Sequence, residues 1–181
     1  MEYENNEWVQ NIQHQSSRMS KLITELITLS RLDEEQPFPN IARFALTEAV
    51  WEISEPFSSL AEANGKEYNQ NIEDDLVLSG DKNAIQQMLS ILLDNALKYS
   101  DKNGKIRLDV YKKRKKIEIV IYNTCSINNI PDLDKIFDRF YRADQSRNQK
   151  DSYGIGLSIA QSIAQNHGGC IKATSNNSTS I

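Results

Sequence analysis

The sequence predicts an α+β fold: a two-layer sandwich of a mixed sheet covered by helices on one face, preceded by a long coiled-coil-like N-terminal helix. Three observations lead to this class. Residues 7–32 carry apolar side chains at heptad spacing and contain no Gly or Pro. Beyond residue 40, helix-period stretches are mixed with short strand-like ones. Between residues 105 and 122 the apolar period falls from 3.6 to 2, which indicates a hairpin.

The composition restricts the class of protein before any motif is considered. With 181 residues, 39% hydrophobic and 25% charged, the chain suits one globular domain and a shorter accessory segment. A net charge of -4 gives no reason to expect nucleic acid as a partner. Two cysteines are too few for a disulfide framework, and no apolar run is long enough to span a membrane. We therefore expect a cytoplasmic segment without membrane contact of its own.

The N-terminal helix is predicted from about Glu7 to Leu32. Its heptad seam consists of Trp8, Ile12, Gln15, Met19, Leu22, Leu26 and Leu29. An isolated helix cannot bury such a seam, so a partner surface is required. Either the helix packs on its own globular domain, or it joins a multi-helix, dimeric bundle; its terminal position before a linker favours the bundle.

A linker with two prolines follows this helix and marks a domain boundary, because proline stops a helix and keeps the chain extended. We assign residues 1–36 to the bundle helix, 37–40 to the linker and 41–181 to one globular domain. A strand is expected at Ile41–Leu46, followed by a helix with Thr47 as its N-cap that ends at Ala63 before Asn64-Gly65.

Short strands are then expected at Lys66–Ile72 and Leu76–Ser79, and Gly80-Asp81 opens the next helix. That helix contains the stretch 88–100, whose apolar face is bordered by Asn95, Lys98 and Tyr99. Taken alone, this polar edge would simply be solvated. Motifs later in the chain indicate a function for this polar edge.

The C-terminal half begins with the predicted hairpin, whose tip is the basic run Lys112–Lys116, interpreted as a solvated turn rather than an anion site. Residues 122–153 form a long polar connection, which is usually functional in a compact domain. A helix is expected over Gly154–Asn166 and a strand over Cys170–Ser175. The end of the chain after this strand suggests that a last strand is truncated.

Three motifs, read together, resemble those of a known family. Residues 92–99 resemble the N box, residues 137–142 the F box and residues 154–159 the second glycine box of the ATP-binding domain of bacterial sensor histidine kinases. These belong to the superfamily of gyrase, Hsp90 and MutL-type ATPases. Residues 18–33 resemble the second helix of the family's dimerisation and phosphoacceptor hairpin.

The resemblance implies roles at the phosphate end of an ATP site. Asn95 would ligate Mg²⁺, for which an amide oxygen is a suitable hard ligand, and Lys98 would place a point charge near the phosphates. Arg142 and Arg147 correspond to lid arginines that reach the terminal phosphate. At the closing turn and helix start, the residues expected to line the nucleotide are Gly154, Gly156 and Leu157.

The resemblance also implies a base end, and here the sequence departs from the family pattern. Tyr99 would pack near the nucleotide, and Asn123 stands where the family has an adenine-binding Asp. Thr124 and Ser126 replace glycines, which predicts a stiffer loop. Two further departures lie at the phosphate end: Ile91 replaces an Asn, and Ser152 replaces the first glycine of the second box.

The implied activity is transfer of the ATP γ-phosphoryl group to a histidine, for relay to an aspartate of a response regulator. His14 lacks the sequence context of the family's phosphoacceptor histidine. His167 is interpreted as a residue at a helix C-terminus, where it interacts favourably with the helix dipole. We therefore expect a fragment that lacks the acceptor helix and cannot phosphorylate itself. The parent protein is expected to be a homodimer, and kinases of this family are often anchored in the membrane. Two alternatives stay open: a degenerate docking module that binds no nucleotide, or a serine kinase or ATPase of the same superfamily.

Overall fold

The computed structural model describes residues 2–34, 37–38, 40–126, 130–142 and 153–175, with only the backbone for residues 2–7. Its elements, in chain order, are α1 (Glu2–Leu32), β1 (Ala42–Ala45), α2 (Leu46–Ala63), β2 (Glu67–Ile72), β3 (Val77–Gly80), α3 (Lys82–Tyr99), β4 (Lys105–Lys113), β5 (Lys116–Asn123) and α4 (Gly156–Asn166). The predicted α+β class and the N-terminal helix are confirmed.

The described strands form two sheets rather than the single sheet expected. β1 and β3 pair antiparallel, with Ala42 opposite Gly80. The second sheet has the order β2-β4-β5; β2 runs parallel to β4, and β5 antiparallel to it, so this sheet is mixed. The β4–β5 hairpin turns at Arg114, whose φ is 59°. The predicted basic tip is thus shorter, since Lys112, Lys113 and Lys116 belong to the strands.

One face of the three-stranded sheet packs against the helices. Ile106, Leu108 and Val110 alternate along β4 and are almost completely buried, as the period of 2 requires. The helices contribute fully buried side chains to the same core: Leu46 and Val50 from α2, Leu89 and Leu93 from α3, and Ile159 and Ile163 from α4. This packing places α3 between α2 and α4.

The helix α1 carries two different stripes. Leu29 and Leu32 are buried in the core of the domain, and Leu22 packs at its edge. Much of the predicted seam stays exposed, with Trp8 70%, Ile12 65% and Met19 63% accessible. The C-terminal end of α1 therefore packs on its own domain. The terminal position of the helix had favoured the other alternative, packing in a multi-helix bundle. In the part of the chain that the structure describes, no helix has the length and apolarity that a membrane span needs.

Two local predictions were wrong. Thr47 is not the N-cap of α2, since the helix begins at Leu46 after Ala45, which makes no side-chain cap bond. The Thr47 hydroxyl instead donates to the Glu73 carbonyl at 2.8 Å and accepts the Leu76 N–H at 3.0 Å, tying α2 to the β2–β3 turn. Residues 170–175 are irregular, although Ile171 packs against the core. An apolar pattern alone does not make a strand without a pairing edge.

His167 does more than lie at a helix end. Its Nε2 accepts the Asp81 N–H at 3.0 Å, and its Nδ1 lies 2.8 Å from the Ile163 carbonyl, to which it donates in the neutral form. The ring also lies 4.6 Å from that of Phe38 in the linker. The imidazole thus joins the end of α4, the start of α3 and the linker through hydrogen bonds and ring packing, rather than by charge against a dipole.

Candidate functional site

The helix α3 forms one wall of the candidate site, and local chemistry explains why it forms. Asp81 is its N-cap: Oδ1 accepts the Ala84 N–H at 3.0 Å. A helical stripe of apolar residues is buried, consisting of Ala84, Ile85, Met88, Leu89, Leu93 and Ala96. Asn95, Lys98 and Tyr99 lie at the edge of this stripe, as predicted, with Asn95 and Lys98 half-buried.

The amide of Asn95 is oriented by its own helix. Nδ2 donates to the Ile91 carbonyl one turn earlier, at 3.3 Å. This bond occupies the nitrogen and leaves Oδ1 as the atom that can ligate a cation. A single amide oxygen suits Mg²⁺, which keeps several water ligands and takes others from substrate phosphates. Among the described residues, no group of three or more His, Cys, Asp and Glu side chains could hold a metal ion.

At the end of α3, Lys98 and Tyr99 form a cation–π pair. The Lys98 ammonium lies 5.5 Å from the centroid of the Tyr99 ring. Tyr99 is 49% exposed, so an aromatic surface and a positive charge lie beside Asn95 on one side of the helix. This arrangement can accept both an anion and a flat ring.

The start of α4 lies against the middle of α3. A Cβ atom at Gly156 would lie 3.3 Å from the Cγ2 of Ile91, which shows how closely the two helices approach. Ile91 is one turn before Asn95, so the start of α4 lies against the turn of α3 that precedes Asn95. Leu157, the next residue, is half-buried. A helix N-terminus with glycine at its first position is suited to bind phosphate.

Gly154 closes the turn before α4 and cannot be replaced without strain. Its φ is +73°, and a Cβ atom there would overlap the Tyr141 carbonyl oxygen and lie 2.8 Å from the Phe140 carbonyl carbon. The Gly154 carbonyl accepts the Phe140 N–H at 2.9 Å. The turn is thereby fixed to residues 137–142.

Residues 137–142 contain a strained aromatic and a tethered arginine. Phe140 has a φ of 66° and is 59% exposed. Arg139 donates from Nη2 to both carboxylate oxygens of Asp33, at 2.7 and 3.0 Å, which ties this segment to the end of α1. Arg142 is exposed, and Arg147 lies outside the described residues.

The other end of the wall meets the end of β5. Asn123 is half-buried opposite Ile106, and its Nδ2 donates to the Thr124 carbonyl at 3.3 Å. The Thr124 carbonyl also accepts the N–H of Asp101, two residues beyond α3, at 3.1 Å. Asn123 is therefore brought to the C-terminal end of the helix that carries Asn95.

Two charged residues at this junction carry no signal in the sequence. Lys66 donates from Nζ to the carbonyls of Leu97 and Ser100 and so caps the end of α3. Burial lowers the pKa of Lys66, whereas the negative charge of Asp101 acts to raise it. Burial, together with Asp101, also raises the pKa of the Cys125 thiol. No periodicity or motif marks Lys66 and Asp101, because their partners are distant in sequence or are backbone groups.

A cleft of about 420 Å³ lies between α1 and α4, lined by Leu32, Asp33, Phe137, Asp138, Arg139, Ser158, Gln161, Ser162, Gln165 and Asn166. Its lining contains none of Asn95, Lys98 and Asn123. We therefore assign the candidate site to the surface along α3 rather than to this cleft, which is the seam between the N-terminal helix and the domain.

Comparison with known proteins identifies relatives of this arrangement. The sequence profile of the histidine kinase-, DNA gyrase B- and HSP90-like ATPase family matches residues 80–181. The chain is 35% identical over 168 residues to the sensor protein DltS of Streptococcus agalactiae (strain NEM316), covering 93% of this chain and 42% of that protein. It is 32% identical to the sensor histidine kinase WalK of Bacillus subtilis, covering 90% of this chain and 27% of WalK. The chain thus spans less than half the length of these relatives.

Solved structures show the same fold. The catalytic domain of the histidine kinase ThkA, in a nucleotide-free form, superposes with a TM-score of 0.61 at 25% identity, covering 71% of this chain and 82% of that one. Full-length ShkA in complex with AMPPNP gives a TM-score of 0.76 at 18% identity, covering 94% of this chain and 36% of ShkA. The second likeness is one of fold alone.

Proposed function

The chain belongs to the histidine kinase-, DNA gyrase B- and HSP90-like ATPase family, and we propose that it is the ATP-binding catalytic portion of a sensor histidine kinase. The observation that carries this proposal is the close approach of Gly156 to Ile91, one turn before Asn95. It brings a helix N-terminus, an amide oxygen and an ammonium group to one surface. Such a surface is suited to a metal-bound polyphosphate.

The phosphate end of the proposed site consists of groups with complementary roles. Asn95 Oδ1 would hold a magnesium ion, which would supply positive charge that neutralises the phosphate oxygens. Lys98 adds a positive charge, and the N–H groups at the start of α4 receive phosphate oxygens next to Gly156 and Leu157. Arg142, together with Arg147 from outside the described residues, would contact the terminal phosphate, as the family resemblance implies.

The base end is assigned to Tyr99 and Asn123. The half-exposed ring of Tyr99 packs against the nucleotide, and the Oδ1 of Asn123 accepts a hydrogen bond from the base, because its Nδ2 is engaged with Thr124. A neutral amide makes a weaker bond than a carboxylate would, by roughly 1 kcal/mol. This difference reduces affinity without abolishing binding.

The reaction we propose breaks the bond between the γ-phosphorus and the bridging oxygen of ATP and forms a bond from phosphorus to a histidine nitrogen. The protein contributes mainly positioning and charge stabilisation. The product then donates its phosphoryl group to an aspartate of a response regulator. Because ATP is the substrate, we place the site in the cytoplasm.

The acceptor and the dimer are also proposals. The exposed seam of α1, with Trp8, Ile12 and Met19, is assigned to a helix bundle of a homodimer. His14 is exposed on α1 but is not the proposed acceptor. Incubation with γ-labelled ATP should therefore leave this chain without stable label, whereas label on His14 would contradict the assignment.

Titration of this chain with a fluorescent ATP analogue, with and without Mg²⁺, tests the central proposal. We expect saturable binding that weakens when EDTA removes the metal. Absence of binding at millimolar ATP would instead favour a docking module that does not use nucleotide. The observation behind that second candidate is the segment Thr124–Ser126, in which side chains occupy positions expected for glycine.

A further inference from the structure

Asp101 joins the end of α3 to the segment 124–126 through its side chain and its backbone. Its Oδ1 accepts two hydrogen bonds from Ser126, from the N–H at 3.0 Å and from the hydroxyl at 2.8 Å. Its own N–H donates to the Thr124 carbonyl at 3.1 Å, and its carbonyl accepts the Gly104 N–H at 3.0 Å. One residue thus holds both ends of the segment.

The same junction is closed from the side of β4. The hydroxyl of Thr124 accepts the Lys105 N–H at 2.9 Å, and the Thr124 N–H donates to the Lys105 carbonyl at 3.0 Å. Gly104 must lack a side chain here, because a Cβ atom would overlap the Thr124 hydroxyl and lie 2.8 Å from the Asp101 carbonyl oxygen. The segment is therefore packed on two sides and is held by a carboxylate on the third.

The hydrogen bonds of Asp101 also involve the acceptor that orients the Asn123 side chain. The Thr124 carbonyl, which accepts the Asp101 N–H, is also the acceptor of the Asn123 side chain. Release of Ser126 would leave the segment held only at Thr124, by Lys105 and the Asp101 N–H, so the Thr124 carbonyl that orients the Asn123 amide would be less firmly fixed. Hydrogen bonds to a carboxylate are about twice as strong as neutral ones, so the two bonds to Asp101 are strong restraints on Ser126.

We propose that Asp101 is a positioning residue for the base end of the nucleotide site, an inference that rests on the proposed function. Its carboxylate fixes segment 124–126 to the end of α3 and so, through the Thr124 carbonyl, helps to orient the side-chain amide of Asn123. Ser126 is the residue through which this restraint acts. The segment is preorganised by the side-chain hydrogen bonds of Thr124 and Ser126.

The test compares a ligand with a base and one without. Calorimetry should measure Mg-ADP and Mg-tripolyphosphate binding for the unmodified chain, Asp101→Ala, Asp101→Asn and Ser126→Ala. We expect Asp101→Ala to weaken Mg-ADP binding roughly 5- to 10-fold while tripolyphosphate binding changes less than about 2-fold. Asp101→Asn keeps an acceptor for Ser126 and should restore most of the ADP affinity. Ser126→Ala keeps its N–H and should show an intermediate loss.

Asp109→Ala is the matched control, because it also removes a half-buried carboxylate, one that pairs with Arg107 at 2.8 Å on the sheet away from Asn123. It should leave the ratio of the two affinities unchanged. Equal weakening of ADP and tripolyphosphate by Asp101→Ala would show a general structural role and overturn the proposal, as would unchanged ADP affinity. If Asp101→Ala does not fold, Asp101→Asn and Ser126→Ala decide by the same ratio. An unmodified chain that binds no nucleotide would refute the proposed function itself.

Discussion

The wall and the rim of the candidate site are stabilised by different kinds of interaction. The wall is α3, a regular helix with a capped start and a continuous buried stripe. The rim, which we define as residues 124–126, 137–142 and 153–156, contains no strand and only the first residue of α4. Two rim residues, Phe140 and Gly154, have positive φ values.

The difference shows that one site can combine groups positioned by local sequence with groups positioned by contacts between distant residues. The wall depends on interactions between neighbours in sequence, so its polar edge is set once the helix forms. The rim depends on contacts to distant residues, such as that from Arg139 to Asp33. Changes in the wall should therefore remove binding groups directly, whereas changes in the rim should alter stability and should affect binding only through the shape of the site.

The largest effect is expected in the wall, at Asn95. Asn95→Ala removes the proposed magnesium ligand from a helix that should tolerate alanine well. We expect Mg-ATP to bind at least about 100-fold more weakly, with the far-ultraviolet circular dichroism unchanged. Asn83→Ala, at an exposed position on the same helix, is the control and should bind normally. Equal nucleotide affinity in Asn95→Ala would sink the assignment of this residue.

In the rim, the largest effect should come from the backbone at Gly154. Gly154→Ala forces a side chain onto the carbonyl groups of residues 140 and 141 and should lower the free energy of unfolding by roughly 2–3 kcal/mol. Gly168→Ala is a matched control, since its φ is +71° but nothing lies within 4 Å of a Cβ atom placed at this position. That variant should lose only about 1 kcal/mol. Similar midpoints of urea unfolding in both variants would argue against the clash.

The sequence was sufficient to predict the wall but not the rim, for the same physical reason. Asp81, the apolar period and the absence of Gly and Pro are local signals, and they placed α3 and its polar edge correctly. Thr47 shows the limit: it is a good N-cap type, yet its hydroxyl is used by Glu73 and Leu76, far along the chain. Asp101 could not be found either, since its partners follow β5.

The cap of α3 offers a test of intermediate size. Asp81→Ala removes the acceptor of the Ala84 N–H and should destabilise the protein by about 1 kcal/mol. The variant keeps the hydrogen bond from the backbone N–H of residue 81 to Nε2 of His167. Asp81→Ser should recover most of the loss in thermal unfolding, because serine also caps helices. A loss that serine does not recover would mean that the charge, rather than the cap, matters.

Phe140 tests whether the rim stores strain. An L-residue with φ near +60° costs about 1–2 kcal/mol relative to glycine, offset in part by the entropy that glycine adds to the unfolded chain. Phe140→Ala and Phe140→Gly both lose the exposed ring, but only the glycine relieves the backbone. We expect Phe140→Gly to be more stable than Phe140→Ala by about 0.5–1 kcal/mol in denaturant unfolding. Equal stabilities would show that the segment relaxes without cost.

The smallest effect is expected where the rim meets α1, at the ion pair of Asp33 and Arg139. Both side chains are about half exposed, and pairs of this kind contribute roughly 0.2–1 kcal/mol. Asp33→Asn and Arg139→Gln should each cost less than about 1 kcal/mol, and a double-mutant cycle should give a coupling that fades in high salt. Leu32→Ala at the same junction should cost about 2 kcal/mol or more, because its side chain is buried. A coupling free energy as large as the effect of Leu32→Ala would mean that charge, rather than the buried leucines, holds α1 to the domain. A small coupling free energy would mean that the rim can change its contacts while α1 stays attached.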